Sequence, residues 1–250
     1  MKVFVIIPAA GLGTRMASAA TARGAKPPDR SKQFLELGGA PIVIHTLRKF
    51  ASSADVHEII VAVRAPEAED FNSELLKHQF GKPLRVVEGG EHRQDSVANA
   101  LATLKASDDD IVLVHDAVRP FVDNNTITGV IAAAQKYGAA IAGVPAVDTI
   151  KQVERTAEGA RITTTIPREH IVQAQTPQGF RFGLLKKLFA EAQADGFYGT
   201  DESSLLERAG HDVWVVMGSP KNIKITTPGD LELAEFYAAQ DSTRNASLPG

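Results

Sequence analysis

The sequence predicts an α/β protein: a Rossmann-like three-layer sandwich with a mostly parallel central sheet. Three observations predict it. Short apolar runs alternate with segments of helical period over the first 148 residues or so. A glycine-rich turn follows the first apolar run directly. From residue 149 the pattern changes to a period-two alternation on both sides of "AEGA", which is the signal of a β-hairpin. No helical segment is at hand to cover that hairpin, so it is expected to project from the body as an arm over about 149–169.

The elements follow in order. "VFVIIP" (3–8) reads as a buried strand, and "PIVIHTLRKFA" (41–51) has apolar residues at helical spacing. "HEIIVAVR" (57–64) is a strand and "APEAEDFNSELLKHQF" (65–80) a helix. "LRVVEGG" (84–90) is a short strand and "QDSVANALATL" (94–104) a helix. "DIVLVHDA" (110–117) is a buried strand, followed by a helix over 123–138 that Gly138 ends, and a strand over 139–148. Beyond the arm come helices at 183–195 and 201–209 and the strand "DVWVVMG" (212–218). "NIKITT" reads as a further strand with Ile223 and Ile225 on one face and Lys224 on the other. Thr227, Pro228 and Asp230 then supply the cap, first position and N-terminal negative charge of a last helix. The whole reads as one domain over 1–240, with a frayed tail at 241–250.

Composition excludes several classes of function. The 250 residues include no cysteine, so disulfides, thiolate metal sites and a cysteine nucleophile are ruled out. The formal net charge of -3 gives no basic field for a nucleic-acid backbone. No apolar run has the length of a membrane span, and "MKVFVIIP" is too short for a signal peptide. A cytoplasmic protein is expected. The seven histidines show no metal-ligand spacing.

The chemistry starts at "IIPAAGLGTRM" (6–16). In open α/β sheets ligands bind beyond the carboxyl ends of strands. Small residues there let backbone N–H groups reach phosphate oxygens. Ala9, Ala10, Gly11, Leu12, Gly13 and Thr14 are therefore candidate nucleotide-binding residues. Arg15 follows the turn and Lys32 lies just before the next ordered element. Two such cations can hold a triphosphate and neutralise charge that grows in a transition state. The turn is not Walker A, because no Gly-Lys-Ser/Thr follows, and it lacks the third glycine of the dinucleotide fingerprint.

Asp116 ends a buried strand and so sits at the ligand-binding edge, where it can accept from a hydroxyl or lie near a Mg²⁺ ion, with Arg119 as a partner. His115 is assigned to structure. In "GGEHRQDSV" (89–97), Asp95 or Ser96 is suited to cap the helix that follows.

Taken together, "PAAGLGTRM … KQF", "GGEHRQDSV", "VLVHDAVRPF", "VPAVDTIK", "QTPQGF", "TDESSLLE" and "NIKITTPGDLELAE" resemble, block by block and in order, the cytidylyltransferases that act on 2-C-methyl-D-erythritol 4-phosphate. The resemblance covers nearly the whole chain. It implies CMP transfer from CTP to that acceptor, with Mg²⁺ accompanying CTP. It implies catalytic roles for Arg15, Lys32, Arg168 and Lys224. It places Gly90, Glu91 and Ser96 around the cytosine ring, and Asp116, Arg119, Thr149 and Thr176 at the acceptor. It also implies a homodimer in which the arm hooks around a second subunit and Arg168 serves the partner's site. Replacing Arg15 or Lys32 by alanine should lower kcat by roughly 10²-fold or more.

The stretch "MASAATARGAKPPDRS" between Arg15 and Lys32 is longer than such proteins usually carry, and Ser31 stands where proline commonly precedes the lysine. It is expected to form a flap over the triphosphate that orders on CTP binding, with Lys26 and Arg30 as substitute cations for Lys32. Three rival readings remain. One is the same chemistry on another polyol phosphate such as ribitol 5-phosphate. The second is a nucleotide-binding module without turnover. The third is a dehydrogenase that uses the glycine turn for NAD.

Overall fold

The computed structural model describes residues 1–11 and 31–246, the last five of these by backbone only. Its centre is a seven-stranded sheet. In chain order the sheet strands are β1 (Val3–Pro8), β4 (Glu58–Val63), β5 (Leu84–Glu88), β6 (Ile111–Val114), β7 (Ala139–Pro145), β10 (Val172–Arg181) and β11 (Trp214–Met217). Their spatial order is β11-β7-β10-β6-β1-β4-β5. β1 pairs in parallel with β4 on one side and β6 on the other. The chain therefore turns in opposite directions from β1, which opens a crevice at the strands' carboxyl ends.

β10 is the exception, antiparallel to both β6 and β7. The sequence gives no strand signal there, since "VQAQTPQGFR" mixes polar residues with a proline. Its ladder slips between Ala174 and Gln178. This irregularity re-aims Gln175 and Thr176, as bulges beside binding sites do.

Helices cover both faces. On one lie α1 (Ile42–Ala51), α2 (Ala68–Leu75) and α4 (Asn124–Tyr137), packed through Leu47, Phe50, Phe71 and Val130 onto Val5, Ile7, Val61 and Leu113. On the other lie α3 (Arg93–Ala102), α5 (Phe182–Ala194) and α6 (Glu202–Arg208), packed through Val97, Leu101, Leu185 and Leu206 onto Phe4, Ile6, Ile60 and Val112. Residues alternate between the two faces along each strand, which gives the three layers the sequence predicts. Asp123 caps α4 by accepting from the Thr126 N–H at 2.7 Å, and Gly138 ends it at φ +92°.

The hairpin forms as expected. β8 (Ile150–Thr156) and β9 (Gly159–Ile166) make a separate two-stranded sheet, exposed along almost its whole length. A smaller hairpin, β2 (Glu36–Leu37) with β3 (Ala40–Pro41), packs beneath α7 (Pro228–Ala246) around Leu37, Ile42, Val118, Ile225 and Ala234.

Several expectations are corrected. The segment 65–80 is a 3-10 turn (Ala65–Glu67) followed by the short α2, because Leu76 faces solvent and carries no core stripe onward. "NIKITT" is not a strand: the Ile225 N–H bonds the Val118 carbonyl at 2.9 Å, but no ladder forms. The last helix, α7, runs to Ala246, past the expected start of the tail at 241. At its start, Thr227 and Asp230 exchange hydrogen bonds, and Asp230 also accepts from both the N–H and the hydroxyl of Thr226.

Candidate active site

Five chain segments meet at the carboxyl edge of the sheet: the turn after β1, the 3-10 turn Lys32–Phe34, the loop after β5, the end of β6, and the stretch before α7 that carries Lys224. Ala9, Ala10, Gly11, Lys32, Gly90, Glu91, Ser96, Asp116 and Lys224 all line the cleft they enclose. Leu12, Gly13, Thr14 and Arg15 lie outside the described residues, as does the expected flap up to Arg30.

The turn after β1 is tied down from two sides. The Ala9 N–H donates to the Ala62 carbonyl at 2.7 Å. The buried Gln33 donates from Nε2 to the Ala9 carbonyl at 2.5 Å and to the Gly11 carbonyl at 3.3 Å. Gly89 packs so close to this turn that a Cβ on it would lie 2.5 Å from the Ala10 Cβ. A Cβ on Gly90 would lie 2.2 Å from the Asp95 Cβ. Both glycines are thus required by close approach of backbone to neighbour.

Ser96 is buried, accepts from the Gly90 N–H at 3.1 Å and donates to the His92 carbonyl at 3.1 Å. It braces the loop from beneath. Of the two expected capping residues, Asp95 takes the role: His92 is the N-cap, and Asp95, at the third helical position, accepts from the His92 N–H at 3.0 Å.

Asp116 is the electrostatic centre of the cleft. Its Oδ2 lies 2.9 Å from Lys224 Nζ and 3.3 Å from Arg119 Nε, and its Oδ1 lies 3.4 Å from Arg93 Nε. Burial would raise its carboxyl, but Arg93, Lys224 and Arg119 outweigh that and hold it far below the usual carboxylate range. Arg119 also donates to the Asn222 carbonyl at 2.7 Å, which fixes the segment leading to Lys224. Asn222 in turn donates to the Thr176 carbonyl at 2.8 Å.

Thr176 reaches the same place from β10, where its hydroxyl accepts from the Asp116 N–H at 3.1 Å and lies 3.0 Å from His115 Nδ1. His115, fully buried between Thr176 and the Arg119 carbonyl, is pushed down to about 4 by that burial and stays neutral. It is structural, as the sequence reading has it.

Two residues in this constellation are absent from the sequence-based candidates. Arg93, the first residue of α3, donates from Nη1 to both carboxylate oxygens of the buried Glu202, at 2.7 and 2.9 Å. Burial opposes the charge on Arg93, but Glu202 and Asp116 hold its pKa above the usual arginine value. A cation at a helix N-terminus runs against the helix dipole. That mismatch is the one cue in the sequence that Arg93 answers to another partner.

Thr149 and Arg168 are not in the cleft of their own chain. Thr149 is exposed just before the arm, and Arg168 sits at the arm's base, donating to the Val147 carbonyl at 2.7 Å. Among the described residues, no group of three or more histidine, aspartate or glutamate side chains is placed to hold a metal ion. Asp116 does not fit as a metal ligand, because three cationic side chains already surround its carboxylate. Nor is any described helix long and apolar enough to cross a membrane.

A three-layer sheet that opens a braced glycine turn and a knot of cations onto its carboxyl edge defines an α/β nucleotidyltransferase as a class. Residues 3–240 match the family model described as IspD, 2-C-methyl-D-erythritol 4-phosphate cytidylyltransferase, and the chain belongs to that family. A relative of that name from Acidobacterium capsulatum is 61% identical over 244 residues, covering 98% of this chain and all of the relative. One from Solibacter usitatus is 51% identical over 246 residues, covering 98% and 99%. The crystal structure of the Francisella tularensis 2-C-methyl-D-erythritol 4-phosphate cytidylyltransferase superposes with a TM-score of 0.77 at 36% identity, covering 94% of this chain and 99% of that one.

Proposed function

We propose that this chain transfers CMP from CTP to 2-C-methyl-D-erythritol 4-phosphate, giving 4-diphosphocytidyl-2-C-methyl-D-erythritol and pyrophosphate, in cytoplasmic isoprenoid precursor biosynthesis. The observation that carries the reading is the family match over residues 3–240. The cationic cluster around Asp116 is consistent with it.

In this reading a phosphate oxygen of the acceptor attacks the α-phosphorus of CTP in line. The new P–O bond forms as the bond to the β-phosphate oxygen breaks, and pyrophosphate leaves. The nucleophile is already anionic, so no general base is required. Positioning and charge stabilisation do the work. Ala9 to Thr14 cradle the triphosphate, and Arg15 and Lys32 stabilise the charge that builds on it. Gly90, Glu91 and Ser96 shape the pocket for the cytosine ring. Lys224 and Arg168 orient the acceptor phosphate, and Asp116, Arg119, Thr149 and Thr176 hold the rest of the acceptor. Magnesium enters as part of the substrate, on the triphosphate oxygens and water.

Arg168 stands at the base of an exposed arm, and Val153 and Ile162 pair across that arm with their side chains open to solvent. Exposed apolar pairs of this kind favour cover by a partner. A homodimer whose arm supplies Arg168 to the neighbouring cleft meets both facts.

The test is pyrophosphate release from CTP and Mg²⁺ with methylerythritol 4-phosphate, beside ribitol 5-phosphate. Release with the first acceptor alone is expected. Release with ribitol 5-phosphate alone would overturn the acceptor assignment, and silence with both would overturn turnover itself.

A further inference from the structure

We infer that Glu202 is a positioning residue for the acceptor, acting through Arg93 to keep one oxygen of Asp116 open to substrate. The inference rests on the reading above that Asp116 faces the acceptor.

Asp116 Oδ2 already takes Lys224 and Arg119. Among the described residues, the sole partner of Oδ1 is Arg93 Nε, at the long distance of 3.4 Å. Arg93 is kept at that distance because its Nη1 is committed to Glu202, at 2.7 and 2.9 Å. Without that second carboxylate, the guanidinium would have one anion within reach and would close onto Asp116 Oδ1. Oδ1 would then be held as closely as Oδ2 already is by Lys224 and Arg119, leaving no strong acceptor for a hydroxyl.

Glu202 is built to hold its place. It is 2% exposed. It begins α6 directly after Asp201, which caps that helix by accepting from the Ser204 N–H at 3.1 Å. Asp201 also accepts from Gln178 of β10 at 2.7 Å, and the Gln178 side-chain oxygen accepts from the Ser203 N–H at 3.1 Å. The helix start is thereby pinned to the strand that carries Thr176. Burying a carboxylate so fully is costly unless it is paired, and Arg93 is the partner.

The test compares wild type, E202Q and E202D, with and without R93M, in steady-state assays that vary each substrate in turn. E202Q is close in shape and can still accept a hydrogen bond, so it is the primary variant. It should raise KM for methylerythritol 4-phosphate about tenfold or more, the scale of one charge-assisted hydrogen bond. KM for CTP should change less than about threefold. E202D, with the charge on a shorter stem, should fall between wild type and E202Q. In the R93M background E202Q should add nothing, because its effect runs through Arg93.

Loss of kcat with both KM values unchanged, in step with lost folded protein, would overturn the inference, as would full additivity with R93M. If E202Q does not fold, E202D decides, and an unchanged acceptor KM overturns the inference. A wild-type enzyme that does not turn over methylerythritol 4-phosphate would overturn the functional reading and this inference with it. Normal wild-type turnover with an indifferent E202Q would overturn this inference alone.

Discussion

The side-chain amide of Gln33 donates to the carbonyl of Ala9 at 2.5 Å, linking the 3-10 turn that carries Lys32 to the glycine turn after β1. One residue thereby sets the distance between the turn after β1 and the segment that carries Lys32. Gln33→Ala would leave the buried Ala9 carbonyl without its side-chain donor, at a cost of about 1–3 kcal/mol. Chemical denaturation should read that loss. KM for CTP should rise more than KM for the acceptor, and an equal rise in both would contradict the link.

Gly89 and Ala10 compete for the same space. Gly89→Ala should destabilise by about 1–3 kcal/mol through overpacking, seen as a lower denaturation midpoint at constant slope. Adding Ala10→Gly removes the nearest clashing atom, which lies 2.5 Å from where the new Cβ would be. The double variant should recover part of the loss. No recovery would mean that the strain lies with the remaining neighbours, Ser96 and Val63.

His115 predicts a pH dependence of stability. Its folded-state value, about 4, lies below the ordinary histidine value of 6.5. As pH falls through 6.5, the unfolded chain gains a proton that the folded chain refuses. Stability should therefore fall between about pH 6.5 and 4, by roughly 2–3 kcal/mol from this residue. His45 is shifted in the same direction by burial and adds to the slope. His115→Gln should flatten the profile of unfolding free energy against pH without abolishing it. Asp116 acts lower down: its depressed value keeps its contribution intact above about pH 4 and loses it only as pH falls further.

If Arg168 serves the neighbouring subunit, two dead variants should rescue one another. Arg168→Ala and Asp116→Asn, each inactive alone, should regain turnover when unfolded together and refolded as a mixture. Mixed dimers then hold one intact site. No activity in the mixture, with dimers present by sedimentation, would place Arg168's role within its own chain.

If the arm forms the interface of a homodimer, Ile162→Asp should weaken that association. The side chain is 59% exposed on the arm, so the charge is harmless to the isolated fold. Sedimentation should show a shift to monomer at unchanged thermal stability of the monomeric unit. A dimer of unchanged strength would remove the arm from the interface.

The parts legible in the sequence are those where local pattern and tertiary role agree. The apolar runs that became β1, β4 and β6 can only be buried strands, and Asp123 and Gly138 mark the ends of α4 by their own chemistry. Asp116 was readable because it ends such a run. β10 was not, because its buried Gln175, Thr176 and Gln178 are satisfied by partners from distant segments. The alternation in "NIKITT" puts Lys224 on a strand that does not form, yet it reaches the cleft, because Arg119 and Asn222 fix its segment instead. Glu202 looks like an ordinary acidic residue in a first helical turn. Only the fold shows that it faces Arg93.

Asp116 gathers its cations from α3, from the turn after β6 and from the segment before α7, and its hydroxyl neighbour from β10. Arg93, Asp116 and Arg119 share the stretch 93–119, but Thr176 and Lys224 come from far along the chain. The cluster therefore stays incomplete until the stretch around Lys224 has docked, long after β1 has been made. A chain stopped short of that stretch would leave Asp116 with arginine partners alone, so this one carboxylate registers whether the far end of the fold has arrived.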